Sequence, residues 1–259
     1  MRLLFIGDIV GEAGLQALRH HLPGIKRQYK PQVTIANGEN VTQGRGISEK
    51  HYKDLLQQGI DVITLGNHAF DQRQLFDYIH QAHCLVRPLN LPEATPGQGV
   101  HYLKVNEVEL AVVNVLGNAF MTATVLPFPN LKDQIQAIRD RTPNILIDFH
   151  GESTSEKQAF AYWLDGQVSA VVGTHTHVQT HDERILPQKT AFISDVGMTG
   201  AWDSIIGFQV ETVLKRFTSQ LPTRLEVAKT KPLVLNAVVI EVDQATGRAK
   251  RIDLVREIG

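Results

Sequence analysis

Cysteine is almost missing from this chain: Cys84 is the single one in 259 residues. One thiol excludes an intrachain disulfide and any thiolate-rich zinc or iron–sulfur site, so a metal ion here must be held by nitrogen and oxygen. It also makes the cytoplasm the expected compartment. An excess of charge of either sign is missing too. Lys and Arg total 26 against 27 Asp and Glu, a formal net charge of −1, which leaves no electrostatic footprint for duplex nucleic acid or an anionic membrane. No apolar run approaches membrane-spanning length. The opening MRLLFIGDIV carries one Arg and a short apolar run, too short for a signal-peptide core, and reads as a first strand. Internal repeats, low-complexity segments and Pro/Gly/Ser linkers are also lacking, so residues 1–259 are expected to form one domain.

What is present is a series of short apolar runs, at 3–6, 33–36, 62–65, 110–116, 145–149, 170–172 and 191–194, which read as buried strands. After the first, Leu15, Leu18, Leu22 and Ile25 fall at helical spacing despite Pro23. Ser48 is placed to cap a helix, with Ile47 and Tyr52 at staple positions and Gly59 as its stop. Asp71 is expected to cap the next, between Phe70 and Leu75. A further helix runs through Ile135 and Ile138, and Ser153 with Glu156 offers a capping box to one reaching Trp163. Alternating residues at 237–242 and 249–255, around a turn at 244–247, predict an antiparallel hairpin. A β-α-β-α start with a hairpin end argues for mixed sheets layered with helices rather than a purely parallel doubly wound fold.

Chemistry gathers where the strands end. Gly7-Asp8, Gly38-Glu39-Asn40, Gly66-Asn67-His68, His150-Gly151 and Gly173-Thr174-His175-Thr176-His177 each follow or close an apolar run. In open α/β sheets ligands bind beyond the carboxyl ends of the strands, so these side chains are expected to converge on one crevice. Extended backbone sends residues two apart to the same side, which would put His175 and His177 on one face. His150, His175 and His177, the carboxylates of Asp8 and Glu39, and the amides of Asn40 and Asn67 make up to seven donors. That exceeds what one tetrahedral ion takes and suits two ions sharing a carboxylate. Hard oxygen mixed with imidazole favours Mn, Fe, Co or Zn. Two such ions about 3.5–4 Å apart hold a hydroxide between them and clamp a phosphoryl group for in-line attack.

Plainer readings compete. Gly7, Gly11 and Gly14 do not have dinucleotide-loop spacing, and Asp8 would repel a pyrophosphate. Asp148, two residues before His150, either orients that imidazole or binds backbone. Phe120, Met121 and Phe128 form a base-stacking wall or ordinary core. Ser153 and Thr154 are simplest as a helix start, with a phosphate contact as the alternative. Arg45 reads as a solvated loop residue, and His20, His21, His51, His80, His83 and His101 as surface.

The order GD, GEN, GNH, H, GTHTH resembles that of the calcineurin-like metallophosphoesterases. Residues 7–11, 38–41, 66–71, 148–157, 173–187 and 195–200 are similar to segments of the YmdB-like bacterial branch, so the likeness covers nearly the whole chain. The resemblance implies a layered αββα sandwich of two mixed sheets and metal-dependent hydrolysis of 2′,3′-cyclic nucleotides, small-molecule substrates, with homo-oligomers as a further implication. A phosphomonoesterase or 5′-nucleotidase on the same site, or a metal-binding regulatory protein with little turnover, are the alternatives. Carried over by position, it places one metal ion, Fe or Mn before Zn or Co, on Asp8, Asn40 and His177. A second falls on Asn67, His150 and His175, with Glu39 bridging and His68 as proton donor to the leaving alkoxide. The superfamily's first histidine is absent, since D-x-H reads Asp8-Ile9-Val10. Glu39 stands for a bridging Asp, Ala69 follows Asn67-His68 where many members have an acid, and His181 occupies a position expected to be small.

Overall fold

The computed structural model describes residues 1–121 and 126–259. In chain order the elements are β1 (Arg2–Ile6), β2 (Asp8–Ile9), α1 (Gly11–Tyr29), β3 (Val33–Asn37), α2 (Glu49–Gln57), β4 (Val62–Thr64), α3 (Leu75–Tyr78) and β5 (Leu85–Val86). They continue with β6 (Val100–Val105), β7 (Val108–Leu116), α4 (Lys132–Arg141), β8 (Ile145–His150), α5 (Thr154–Trp163) and β9 (Ala170–Thr174). The last are β10 (Arg184–Ile185), β11 (Ala191–Ile193), β12 (Met198–Ala201), α6 (Val210–Ser219), β13 (Leu233–Val242) and β14 (Ala249–Ile258).

Two mixed sheets result. One runs β2-β12-β13-β1-β3-β4-β5 with β14 beside β13, and the other runs β10-β11-β9-β8-β7-β6. In the first, β1, β3, β4 and β5 are mutually parallel while β13 enters antiparallel to β1. In the second, β7, β8, β9 and β11 are parallel and β6 and β10 are antiparallel edges.

Strand periodicity explains the layers, because successive side chains face opposite sides of a sheet. In β1, Leu3 and Phe5 pack between the two sheets, together with Leu110, Val112, Leu146 and Val172. Leu4 and Ile6 face the other way, onto Leu15, Leu18 and Leu22 of α1 and Leu55 of α2. On the far side, Ile145, Ile147 and Phe149 of β8 meet Ile135 and Ile138 of α4 and Phe160 of α5. The order of layers is therefore helix, sheet, sheet, helix. Strands buried on both faces read as continuous apolar runs, which is what the sequence displays.

Local signals hold in most places. Ser48 accepts from the His51 amide at the start of α2, and Ser153 from the Glu156 amide at the start of α5. The expected hairpin is β13–β14, with a bulge between Glu241 and Val242. Asp71 is a correction: α3 begins at Leu75 behind Gln74, so Asp71 caps nothing. The capping box at Ser153 is only half made, because the Glu156 carboxylate accepts from the Asn118 and Ala119 amides instead. No helix among the described residues is long and apolar enough to cross a membrane.

Candidate metal centre

The first sheet contributes from three strand ends. After β1 the chain passes Gly7, where a Cβ would lie 1.8 Å from the Gly197 carbonyl oxygen, and delivers Asp8 fully buried. Asp8 Oδ2 accepts from the His175 amide at 3.2 Å, while Oδ1 is buried with no hydrogen-bond partner. After β3, the Asn37 side chain accepts from the Glu39 amide at 3.1 Å and turns that carboxylate inward. Asn40 donates its Nδ2 to the Gly44 carbonyl at 3.0 Å, which aims its Oδ1 at His177. After β4 comes Gly66. A Cβ there would sit 2.4 Å from Glu39 Oε2 and 2.5 Å from His150 Nε2, so only glycine lets this strand end pass the cluster.

The second sheet contributes the imidazoles. His150 closes β8, fully buried. His175 and His177 lie just beyond β9 with φ of 99° and 67°, so the expected extended backbone does not carry them. Both hold left-handed conformations that a side-chain-bearing residue rarely adopts, the kind of local strain that tertiary contacts must maintain.

Each ring has one nitrogen held from behind. Thr174 Oγ1 donates to Asp148 Oδ1 at 2.6 Å, so the same hydroxyl accepts from His150 Nδ1 at 2.9 Å. His175 Nε2 donates to the Glu152 carboxylate at 3.1 Å, and His177 Nδ1 to the Ile206 carbonyl at 2.8 Å. The opposite nitrogens therefore face the cluster. His150 Nε2 is 3.0 Å from Glu39 Oε1, 2.9 Å from Asn67 Oδ1 and 3.1 Å from His175 Nδ1. His177 Nε2 is 3.3 Å from Asn40 Oδ1 and 3.8 Å from the orphan Asp8 Oδ1. Glu39, His150 and His175 offer ligand atoms all within 4.8 Å of one another.

Ionisation reflects this crowding. Burial raises the Asp8 carboxyl to about 6, although His177 and His150 pull it down. Burial also opposes charge on Glu39 and on His150, but their mutual contact prevails. It holds Glu39 at about 2 and raises His150 to about 9. Burial and the neighbouring His150 push His175 down to about 3. A proton on His150 Nε2 is thus what offsets the oxygen acceptors of Glu39 and Asn67, in the place a cation would take, while Asp8 Oδ1 has no donor at all. A buried carboxylate oxygen without a donor fits that account and is otherwise costly.

Residues 4–255 match the profile of the family described as YmdB-like protein. The chain belongs to the YmdB-like family. It is 50% identical over 255 residues to the Bacillus subtilis 2′,3′-cyclic-nucleotide 2′-phosphodiesterase, covering 98% of this chain and 96% of that one. A crystal structure of a hypothetical protein from Thermus thermophilus superposes with a TM-score of 0.93 at 40% identity, covering 100% and 99% of the two chains. A novel phosphatase from Mycoplasma pneumoniae does so with a TM-score of 0.93 at 35% identity, covering 100% and 93%.

In this YmdB-like protein, all seven donors expected from the sequence meet at one rim, and His68 stands beside them. Its amide donates to Glu39 Oε2 at 2.9 Å, and its Nδ1 lies 2.9 Å from Asp71 Oδ2, with Arg45 3.8 Å from that same oxygen. Asp71 is thus a partner of His68, one helical turn away in sequence, and that spacing was the available signal. Thr174 and Glu152 were missed as supports of His150 and His175; both sit next to or two residues from ligand-type histidines. Asp148 orients His150 through Thr174. It also accepts from Thr64 Oγ1 and Asn37 Nδ2, joining the two sheets beneath the site. Phe128 packs on Phe160 and Trp163 and is core, whereas Phe120 is 90% exposed. His51 is not a surface residue: it is half-buried against Thr42 Oγ1 at 2.7 Å. His181 is exposed and pairs with Glu183.

Proposed function

We propose that the chain is a two-metal phosphodiesterase that opens 2′,3′-cyclic nucleotides at the 2′ bond to give the nucleoside 3′-monophosphate, in the cytoplasm. In this reading Asp8, Asn40 and His177 would hold one ion, Asn67, His150 and His175 would hold the other, and Glu39 would serve both. The observation that carries it is the set of three imidazoles, each with one nitrogen anchored from outside and the other turned into a cluster of carboxylate and amide oxygens. Half-identity to a B. subtilis enzyme of that named activity supports the substrate class. Iron or manganese suits the mixture of imidazole, carboxylate and amide oxygen.

Bound there, the ions would supply a nucleophilic water at neutral pH and offset charge on the phosphoryl oxygens. The chain's own part is positioning and proton transfer. His68, held through Nδ1 by Asp71, presents Nε2 away from that carboxylate. As the P–O2′ bond breaks, His68 gives an Nε2 proton to the leaving alkoxide, and the adjacent Asp71 carboxylate fixes the ring through Nδ1. The Glu39 side chain fixes the His68 backbone, so proton donor and metal cradle are built on one carboxylate.

The test is metal analysis of protein purified without chelators, followed by turnover of 2′,3′-cyclic AMP against AMP with Mn²⁺ or Fe²⁺. Two ions per chain and preference for the cyclic substrate are expected. Faster release of phosphate from AMP would instead make the protein a nucleotidase.

A further inference from the structure

Lys157 is fully buried on α5 and pairs with Asp195 at 2.9 Å, where Asp195 is itself only 1% exposed. Neither group belongs to the proposed set of ligands or to the proton donor. A buried ion pair contributes little net stability compared with apolar packing, so what this pair holds in place matters more than its own energy.

The hydrogen bonds of Asp195 show what that is. Its Oδ2 accepts from the Thr176 amide at 3.0 Å and from the Thr176 hydroxyl at 2.8 Å, in addition to Lys157. Its Oδ1 accepts from the Gly197 amide at 2.8 Å, and the Gly197 carbonyl in turn accepts from the Asp8 amide at 3.0 Å. Thr176 is the residue between His175 and His177, the two positions held at positive φ. One carboxylate therefore grips the middle of the two-histidine turn with one oxygen and the turn that docks Asp8 with the other. Lys157 Nζ completes the set of donors on Asp195 Oδ2, so the carboxylate is satisfied away from water and its position is fixed.

We infer that the Lys157–Asp195 pair is the positioning device of the metal centre, holding His175, His177 and Asp8 in ligating geometry through Thr176 and Gly197. The inference rests on the metal-centre reading above. It assigns these two residues to the assembly of the centre, and neither touches substrate or metal.

Two variants test it, each read by Mn²⁺ affinity in competition with a chromophoric chelator and by thermal unfolding of the metal-free protein. Lys157→Met/Asp195→Asn removes both charges together, so no unpaired buried ion is left. It is expected to fold and to bind Mn²⁺ at least tenfold more weakly. Thr176→Val deletes only the hydroxyl grip; it is expected to weaken binding several-fold with the metal-free unfolding temperature unchanged. If the double variant does not fold, Thr176→Val decides alone. Undiminished Mn²⁺ binding in the variants, with wild-type protein binding normally, overturns the inference while leaving the metal centre intact. Wild-type protein that binds no Mn²⁺ overturns the metal-centre reading and this inference with it.

Discussion

Thr174, Glu152 and the Ile206 carbonyl each occupy one nitrogen of a ring whose other nitrogen faces the cluster. Removing such a backing group from a ligand imidazole typically costs about 10–100-fold in metal affinity. Thr174→Val keeps the branched shape and deletes both the acceptor for His150 and a donor to Asp148. A loss in that range is expected in a Mn²⁺ competition titration, and unchanged affinity would show that His150 keeps its orientation without the hydroxyl. His68 makes the complementary case. Its ring touches Asp71, and its link to the cluster is its backbone amide on Glu39. His68→Ala should therefore retain metal while kcat falls by about 10²–10⁴-fold, the range for loss of a general acid. Full rate with full metal would remove His68 from the reaction. Gly66→Ala should abolish metal binding, since the added Cβ meets Glu39 and His150 at 2.4 Å.

Elements carry the site by where they stop. β8 and β9 end at His150 and Thr174, and β1, β3 and β4 end just before Asp8, Glu39 and Asn67. Helix boundaries set the spacing behind them. The Ser48 hydroxyl accepts from His51 N at 3.3 Å and caps α2, while the Ser48 amide donates to Thr42 Oγ1 at 2.8 Å. Ser48→Ala should lower stability by about 1 kcal/mol in urea denaturation. Because α2 carries no ligand, metal affinity should stay at the wild-type value in the same preparation; a parallel loss would tie α2 to the centre. The elements were largely legible from apolar periodicity and caps. Two features were not. Asp71 looks like a cap because Asp before an apolar helix is common, but three residues of turn intervene before α3 and its carboxylate turns to His68. His175 and His177 share a side not through strand alternation but through two left-handed residues beyond the strand, a conformation that no local pattern announces.

At the scale of the molecule, the centre bridges two sheets, so loading it should couple to both protonation and folding. His150, raised to about 9 by its contact with Glu39, carries a proton at neutral pH in metal-free protein. The ion must displace that proton. Mn²⁺ affinity should therefore rise by about tenfold per pH unit between pH 7 and 9, with proton release measurable in a weakly buffered titration. Below pH 6 the Asp8 carboxyl, raised to about 6 by burial, is also neutral, and affinity should fall more steeply. The sign for metal-free stability is the opposite. A folded pKa above the free histidine value means that the pair's contribution is present below pH 6.5 and is lost as pH rises through 9. A pH-independent Mn²⁺ affinity across that range would show that His150 is not a ligand.

The residue types, their order and their position at strand ends were decided by the sequence alone. Apolar runs buried on both faces have to become central strands, and polar residues that close such runs have to emerge at the rim. The pairing of those residues was decided only by the fold. That Glu39 reaches His150 and that Asn40 reaches His177 across 137 positions depend on two sheets meeting face to face, and that Asp195 holds Thr176 depends on β9 and β11 lying side by side. Local preference acts over a few residues. Contacts between distant chain segments are set by which apolar faces pack together, and only the packed molecule specifies them.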